Sequence, residues 1–251
     1  MLHLIVCGAL GQMGRAIAQA VEADPECKIV AGVDVRSDAS LPYPVYASFD
    51  EVRESADAVV DFSRADNLPN VLAYARAHRL PVLICATAHT PQQRAEVAEA
   101  AKEIPVFFSY NNSLGIALMR ALVAQAAQVL GAQYDIEIYE KHHRKKIDAP
   151  SGTAVMLFDA LNAARGGELV PVYDRQRELH ARGDNEVGMM SFRGGTVVGE
   201  HSVFFAGPAE VIEIKHTAYS RDVFATGTLR AAHYLVRQGP GLYGMDDVLS
   251  L

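Results

Sequence analysis

Leu2-His3-Leu4-Ile5-Val6-Cys7-Gly8-Ala9-Leu10-Gly11-Gln12-Met13-Gly14-Arg15 opens the chain, and its reading decides the fold. Leu2–Val6 is a short, mostly apolar run with the character of a central parallel strand. It passes directly into glycines at the first, fourth and seventh places of a turn, and Ile17, Ala18, Ala20 and Val21 then supply a helical apolar face. The order is strand, glycine turn, helix. Leu10 occupies the middle position of the commoner GxGxxG spacing, yet the chemistry still works. Gly8 allows the tight turn, Gly11 lets backbone approach a pyrophosphate, and Gly14 permits close packing of helix on strand. N–H groups at the helix start would hold the phosphates.

The next strand, Lys28–Val33, ends at Asp34, about 20 residues beyond the glycine turn, where an acid commonly binds ribose hydroxyls. A carboxylate there favours NADH, whereas Arg36 two residues on is placed to accommodate a 2′-phosphate. Both cofactors therefore stay open. Alternating elements continue: strands over 58–63, 81–85 and 106–108, helices over 67–78 and 92–102. This rhythm predicts a parallel sheet covered on both faces. Ligands of such sheets sit beyond the carboxyl ends of the strands. Phe62-Ser63, Ala86-Thr87-Ala88 and Ser109-Tyr110-Asn111-Asn112 all fall there.

The chain has 251 residues, half of them apolar, and a formal net charge of −7. That balance argues against a general nucleic-acid or acidic-membrane surface, so any basic patch is local. The three cysteines, Cys7, Cys27 and Cys85, form no CxxC pair and read as reduced, buried small hydrophobes. No uninterrupted apolar run reaches the roughly 20 residues that span a bilayer, and the start lacks the features of a signal peptide. The expectation is a cytoplasmic location without membrane attachment.

Beyond residue 113 the rhythm changes. A strongly apolar helix over 114–130, closed by Gly131, reads as a connector with much of its surface buried between two domains. A half-buried strand follows over 134–139, then a helix over 153–164 ended by Gly166-Gly167. Residues 173–185 read as an exposed polar excursion. Three consecutive strands, 188–193, 196–206 and 210–216, imply an open sheet in a second domain, with self-association through it. A helix over 222–238 leads to a short tail. The expected division is 1–113 with 222–251 as the dinucleotide-binding domain, and 114–221 as an inserted substrate-binding and oligomerisation domain. Hinges near 112–115 and 218–221 would close one over the other.

Between that strand and helix lies Glu140-Lys141-His142-His143-Arg144-Lys145-Lys146-Ile147-Asp148-Ala149-Pro150-Ser151-Gly152-Thr153. One reading is a solvated basic loop. The other is a site: proton-transfer groups followed by a helix start suited to a carboxylate. His142 can serve at neutral pH, and neighbouring cations would disfavour the ammonium of Lys146, easing proton donation. Adjacent histidines on a strand point to opposite faces, so no metal is expected. A nucleic-acid patch is a weak reading, since the run is short and lacks aromatic interleaving.

With these pieces assembled, the chain resembles the 4-hydroxy-tetrahydrodipicolinate reductase (dihydrodipicolinate reductase) family nearly end to end. The resemblance rests on Glu140-x-His142-His143-Arg144-x-Lys146-x-Asp148-Ala149-Pro150-Ser151-Gly152-Thr153 above all. Gly8-x-x-Gly11-x-Met13-Gly14-Arg15, Asn111-x-Ser113-x-Gly115, Gly199-Glu200-His201, Ser220-Arg221 and the run 241–249 match as well. It implies an α/β fold: a Rossmann-like parallel-sheet nucleotide domain with an inserted α+β mixed-sheet domain, assembling as a homotetramer. It implies NADH- or NADPH-dependent reduction of a small cyclic dicarboxylate, with hydride to ring C4 and a proton to C3. His142 and Lys146 match the acid/base positions, and His143, Gly152 and Thr153 match substrate-carboxylate contacts. Gly8, Ala9, Leu10, Gly11, Gln12, Met13, Asp34, Ala86, Thr87, Ala88, Ser109, Tyr110, Asn111 and Asn112 match cofactor contacts. Three departures stand out. Lys145 replaces a common third histidine, Ala86-Thr87-Ala88 replaces a usual Gly-Thr-Thr, and the segment between Asp34 and Ala58 is short. Two other readings are a related two-domain amino or imino acid dehydrogenase and a non-catalytic NAD(H)-sensing regulator.

Overall fold

The apolar runs of the first half become strands of one parallel sheet. The structure, a computed structural model, describes residues 1–176 and 180–250. Its β1 (Leu2–Cys7), β2 (Cys27–Val33), β3 (Val45–Tyr46), β4 (Ala58–Asp61), β5 (Val82–Ile84) and β6 (Pro105–Phe108) lie in the order β6-β5-β4-β1-β2-β3. Helices α1 (Gln12–Glu22), α2 (Leu68–His78) and α3 (Pro91–Ala100) run between them. β4 is buried at every residue, which is why Ala-Val-Val reads as a continuous apolar run rather than an alternating one. Gly8 has a positive φ of 77° that a side chain would strain. A Cβ on Gly14 would lie 2.4 Å from the carbonyl oxygens of both Gly8 and Ala9. The third glycine thus lets α1 come close to the backbone that leaves β1.

Two compact units divide the chain: residues 1–114 with 221–250, and residues 115–220. The second unit is built on β7 (Asp135–His142), β8 (Val170–Val172), β9 (Glu186–Arg193), β10 (Gly199–Ala206) and β11 (Val211–Ala218). Their order is β11-β10-β7-β9-β8, with β7, β9 and β8 parallel and β10 antiparallel to both its neighbours. Ile136, Ile138, Val187, Met189, Val203 and Phe205 form the buried face at one end. α4 (Leu114–Leu130) and α5 (Gly152–Ala164) cover it with Met119, Val123 and Ala127, and with Leu157, Phe158 and Leu161. The period of two then continues along β7 into Glu140 and His142, which are also buried. One strand thus runs from core to polar site.

The chain returns to the first unit with α6 (Asp222–Leu235), which packs on α1, where His233 Nε2 lies 2.9 Å from Asp24 Oδ2. β12 (Gly241–Tyr243) adds to the β6 edge in parallel, and α7 (Met245–Leu249) follows. The tail is thus structured. A three-residue strand is too short to show a period, and only its neighbour completes it. The same holds for β3 and β8.

The structure sharpens three further expectations. α4 is not buried over most of its surface. Ile116, Met119, Val123 and Ala127, spaced three and four apart, face the core, while Leu118, Leu122 and Val129 are exposed. With the short 3-10 turn after it, the helix runs 20 residues, Leu114–Gln133, with mean hydropathy 1.5. That is long and apolar enough to cross a membrane by length and composition alone. Arg120, Gln125 and Gln128 interrupt the run, so a search for an unbroken apolar stretch passes over it. Finally, the polar excursion folds back. Arg175 lies 2.9 Å from Glu137 Oε1, and Arg182 reaches Asp135 Oδ1 at 2.7 Å and Glu137 Oε1 at 3.2 Å. Its residues 177–179 lie outside the described residues.

Phe205→Ala should destabilise the second unit by about 3–5 kcal/mol, the cost of truncating a fully buried aromatic. Val129→Ala, at a position 78% exposed on α4, should change stability by no more than about 0.5 kcal/mol. Urea unfolding followed by far-UV circular dichroism separates the two.

Candidate functional site

In the first unit, the loops after β1, β2, β4, β5 and β6 leave the same edge of the sheet. They carry the glycine turn, Asp34, Phe62-Ser63, 86–88 and 109–112. α1 starts at Gln12 with Gly11 as its cap residue, no side-chain cap and no acid in its first turn. Its N-terminus is therefore electrostatically suited to an anion. A cleft of about 970 Å³ opens on this edge, lined by Gly8, Gly11, Asp34, Phe62, Asn67 and Tyr74 among others. Its size and its uncapped helix end fit the diphosphate and adenosine half of a dinucleotide.

Asp34 has a role that spacing did not reveal. Its Oδ2 accepts from the Leu10 N–H at 3.0 Å and its Oδ1 from the Arg36 N–H at 3.2 Å. Arg36 in turn donates from its guanidinium to the Leu10 carbonyl at 3.0 Å. Acid and arginine together brace the glycine turn. Asp61, missed in the sequence as a group of interest, does similar work under Phe62-Ser63. It is fully buried, and its Oδ1 accepts from the Ser63 N–H at 2.9 Å and hydroxyl at 2.5 Å. Burial raises its carboxyl above the ordinary range despite those bonds. An acid closing an otherwise apolar run was the available signal.

At the ends of β5 and β6 the expected contacts divide. Ala86 is buried, Thr87 and Ala88 are exposed, and Ala88 holds a positive φ of 68°. Ser109 Oγ donates to the Asn111 carbonyl at 2.8 Å, shaping the loop that leaves Tyr110 exposed. Asn112 is buried and donates its amide to Thr228 Oγ1 at 2.8 Å and Cys85 Sγ at 3.0 Å, so it fastens the loop to α6. The three cysteines are free and buried. Burial pushes Cys7 and Cys85 up to about 12, which leaves them unreactive thiols.

In the second unit the quoted polar stretch is centred on a group to which the sequence reading gave no role. Glu140 is 1% exposed. Arg193 grips it with a two-pronged contact, 2.7 Å to each oxygen. His142 Nδ1 lies 2.5 Å from Oε2, and the Ser151 N–H donates to Oε1 at 3.2 Å. Burial alone would raise this carboxyl, but His142 and Arg193 outweigh it and hold it far below the usual range. Beside it, His201 packs edge-on to His142 with ring centroids 5.1 Å apart, and its Nε2 lies 3.1 Å from Ser151 Oγ. Burial, then the His142 charge, pushes His201 down to about 3, so it is a neutral ring. Arg193 and His201 reach the site from β9 and β10, across strand pairing that places them opposite His142 and Glu140.

His142 is buried at the end of β7, whereas His143 is half-buried just beyond it. The loop then turns tightly: the Lys146 N–H donates to the His143 carbonyl at 3.1 Å, and the Arg144 N–H to that of Gly195 at 3.2 Å. Lys146 meets an anion, Asp148 Oδ1 at 2.8 Å, while Arg144 and Lys145 are exposed. The sequence sets cations beside Lys146 in the chain; the turn sets the Asp148 acid against it in space. Burial would raise the Asp148 carboxyl, yet contact with Lys146 lowers it overall. Ser151 caps α5 by accepting from the Ala154 N–H at 3.2 Å. Gly152 is exposed with open space where a Cβ would stand; Thr153 is half-buried beside it. Among the described residues, no group of three His, Cys, Asp or Glu is arranged to hold a metal ion.

Comparison with known proteins follows this division. Residues 2–112 match the family model described as dihydrodipicolinate reductase, N-terminus, and residues 115–249 match its C-terminus model. The 4-hydroxy-tetrahydrodipicolinate reductase of Caldanaerobacter subterraneus subsp. tengcongensis is 47% identical over 249 residues, covering 99% of this chain and 98% of the relative. That of Clostridium novyi is 43% identical over 250 residues, with the same coverage. Among solved structures, a dipicolinate-bound dihydrodipicolinate reductase from Paenisporosarcina sp. TG-14 has a TM-score of 0.80 at 21% identity, covering 98% of each chain. A probable dehydrogenase from Thermotoga maritima has a TM-score of 0.67 at 13% identity, covering 98% of this chain and 92% of its own; these two show the shared fold. With both halves matched and full-length relatives at 43% and 47% identity, the chain belongs to the dihydrodipicolinate reductase family.

Proposed function

We propose that this chain reduces 4-hydroxy-tetrahydrodipicolinate to tetrahydrodipicolinate, with NADH or NADPH as reductant, in lysine and diaminopimelate biosynthesis in the cytoplasm. One observation carries the reading: in a member of this family, His142 and the start of α5 converge on the buried Glu140, whose partner Arg193 also bonds the Asp148 carbonyl in the loop of Lys146. The first unit takes the dinucleotide along Gly8–Met13, with Asp34 at the adenosine ribose and Ala86–Ala88 and Ser109–Asn112 toward the nicotinamide. The bound nicotinamide supplies a hydride.

Loss of the 4-hydroxyl as water leaves a conjugated ring with two carboxylates. Addition of hydride at ring C4 makes C3 electron-rich, and a proton there completes the product. Lys146 donates that proton, and His142 is its acid/base partner. His143 and the N–H groups of Gly152 and Thr153 hold the carboxylates, as a helix N-terminus favours. A dianion thus meets fixed positive charge on a chain whose net charge is −7.

The open face of the second sheet presents Met190, Phe192 and Val211 to solvent, flanked by the pairing of Lys215 with Glu200 at 3.1 Å. A homotetramer joined through this face covers those side chains. Light scattering should give four times the chain mass, and a monomer mass at all concentrations would refute the assembly.

Lys146→Ala should lower turnover by roughly 10²–10⁴-fold with circular dichroism unchanged, the usual loss on removing a general acid. The assay follows oxidation of each nicotinamide cofactor with substrate made in place from aspartate semialdehyde and pyruvate. Near-normal turnover in the variant would remove Lys146 from the chemistry, and no oxidation by the unmodified chain would reject the function.

Asp34→Ala should shift preference toward NADPH, since it removes the charge that opposes a 2′-phosphate and leaves Arg36 beside the ribose. Equal changes in kcat/KM for both cofactors would mean that Asp34 acts only by bracing Leu10.

A further inference from the structure

Glu140 is an acceptor-only group when ionised, and each of its oxygens is used twice. Oε2 takes Arg193 Nη1 at 2.7 Å and His142 Nδ1 at 2.5 Å; Oε1 takes Arg193 Nη2 at 2.7 Å and the Ser151 N–H at 3.2 Å. An ionised carboxylate in this place requires the proton of neutral His142 to sit on Nδ1. The other ring nitrogen, Nε2, lies over Gly199, 3.2 Å from where a Cβ would be. A glycine there leaves that nitrogen uncovered by any side chain of its own. Nε2 is therefore the nitrogen left for chemistry.

Arg193 does more than neutralise Glu140. Its Nη2 also donates to the Asp148 carbonyl at 2.6 Å, and its Nη1 to the Phe192 carbonyl at 2.7 Å. Asp148 is the residue whose side chain meets Lys146. One guanidinium on β9 thus ties the end of β7, through Glu140, to the loop that carries Lys146. Its planar fork makes these contacts together, which a lysine at the same position cannot reproduce.

We propose that Arg193 is a positioning residue for the proton-handling stretch, setting the ring of His142 through Glu140 and the Lys146 loop through the Asp148 carbonyl. The inference rests on the proposed reading of His142 and Lys146 as the acid/base groups. The Arg193 guanidinium bonds Glu140 and the Asp148 and Phe192 carbonyls, and it acts through those contacts.

The test compares Arg193→Lys and Glu140→Gln with the unmodified full-length chain. Nitrogen-15 NMR of the histidine rings, without substrate, reads the tautomer of His142, with His142→Asn used to assign its signals. Steady-state kinetics read kcat and KM, and fluorescence titration reads NADH affinity. Expected are a His142 ring held as the Nδ1–H tautomer in the unmodified chain and a mixed population in Glu140→Gln. Arg193→Lys should lower kcat by about 10²-fold, the scale of a small misplacement of reacting groups. Its NADH affinity should be unchanged, because the dinucleotide is assigned to the first unit. An unaltered tautomer in Glu140→Gln together with unchanged kcat in Arg193→Lys would overturn the proposal. So would activity that falls only in proportion to the folded fraction measured by circular dichroism. An unmodified chain that turns over no substrate would overturn the proposed function alone, and the ring spectra would still decide whether Glu140 sets His142.

Discussion

A carboxylate buried at the end of an apolar strand has to be matched, and the second unit is arranged around that requirement. Burying an unpaired charge is costly enough that the group would otherwise take up a proton. Glu140 keeps its charge because Arg193, His142 and the Ser151 N–H converge on it from β9, from β7 itself and from the start of α5. The match works in both directions. Without Glu140 the Arg193 guanidinium would be the uncompensated group. The ion pair is thus better understood as fixing geometry than as adding stability, since a well-packed apolar pair can be equally stable.

The first unit meets a different constraint, that of bringing backbone close to a diphosphate. Gly8 is required by its positive φ and by the backbone of Phe62-Ser63 against it, and Gly14 by the carbonyls of Gly8 and Ala9. What the ligand needs is the uncapped start of α1 and the cleft beside it. Asp34 links the two demands. Its carboxylate holds Leu10 in place, and it stands at the lip of the same cleft. A residue usually read only as a ribose partner is here part of the turn.

Local pattern carried much of this into the sequence. The strand–glycine–helix opening, the βα rhythm and the switch to consecutive strands all depend on residues close in the chain. So did the naming of His142, Lys146 and Gly152-Thr153, which stand in one continuous stretch. Arg193 could not be read the same way, because it lies 53 residues from Glu140 and looks like a charged strand end before Gly194-Gly195. Only the parallel register of β7 with β9 brings them together. The environment of Lys146 was hidden for the opposite reason. Its partner, Asp148, is two residues away, but a list of neighbouring charges does not say which of them the turn will present. α4 shows the same limit: composition gives its apolar character, and only packing shows which stripe faces the core.

Burial sorts the histidines of the second unit. His142 and His143 are adjacent in sequence, yet one lies inside the sheet beside Glu140 and the other half outside it. His201, opposite Glu140 on β10, has burial and then the charges of His142, His216 and Lys146 against protonation and the Glu140 charge in favour. It therefore stays a neutral ring. A neutral ring packed against His142 adds shape and a hydrogen bond to Ser151 without adding a third cation beside Arg193 and Lys146. That restraint matters on a site whose proposed substrate is itself a dianion. Positive charge beyond what Glu140 and Asp148 already balance is left for the carboxylates to meet.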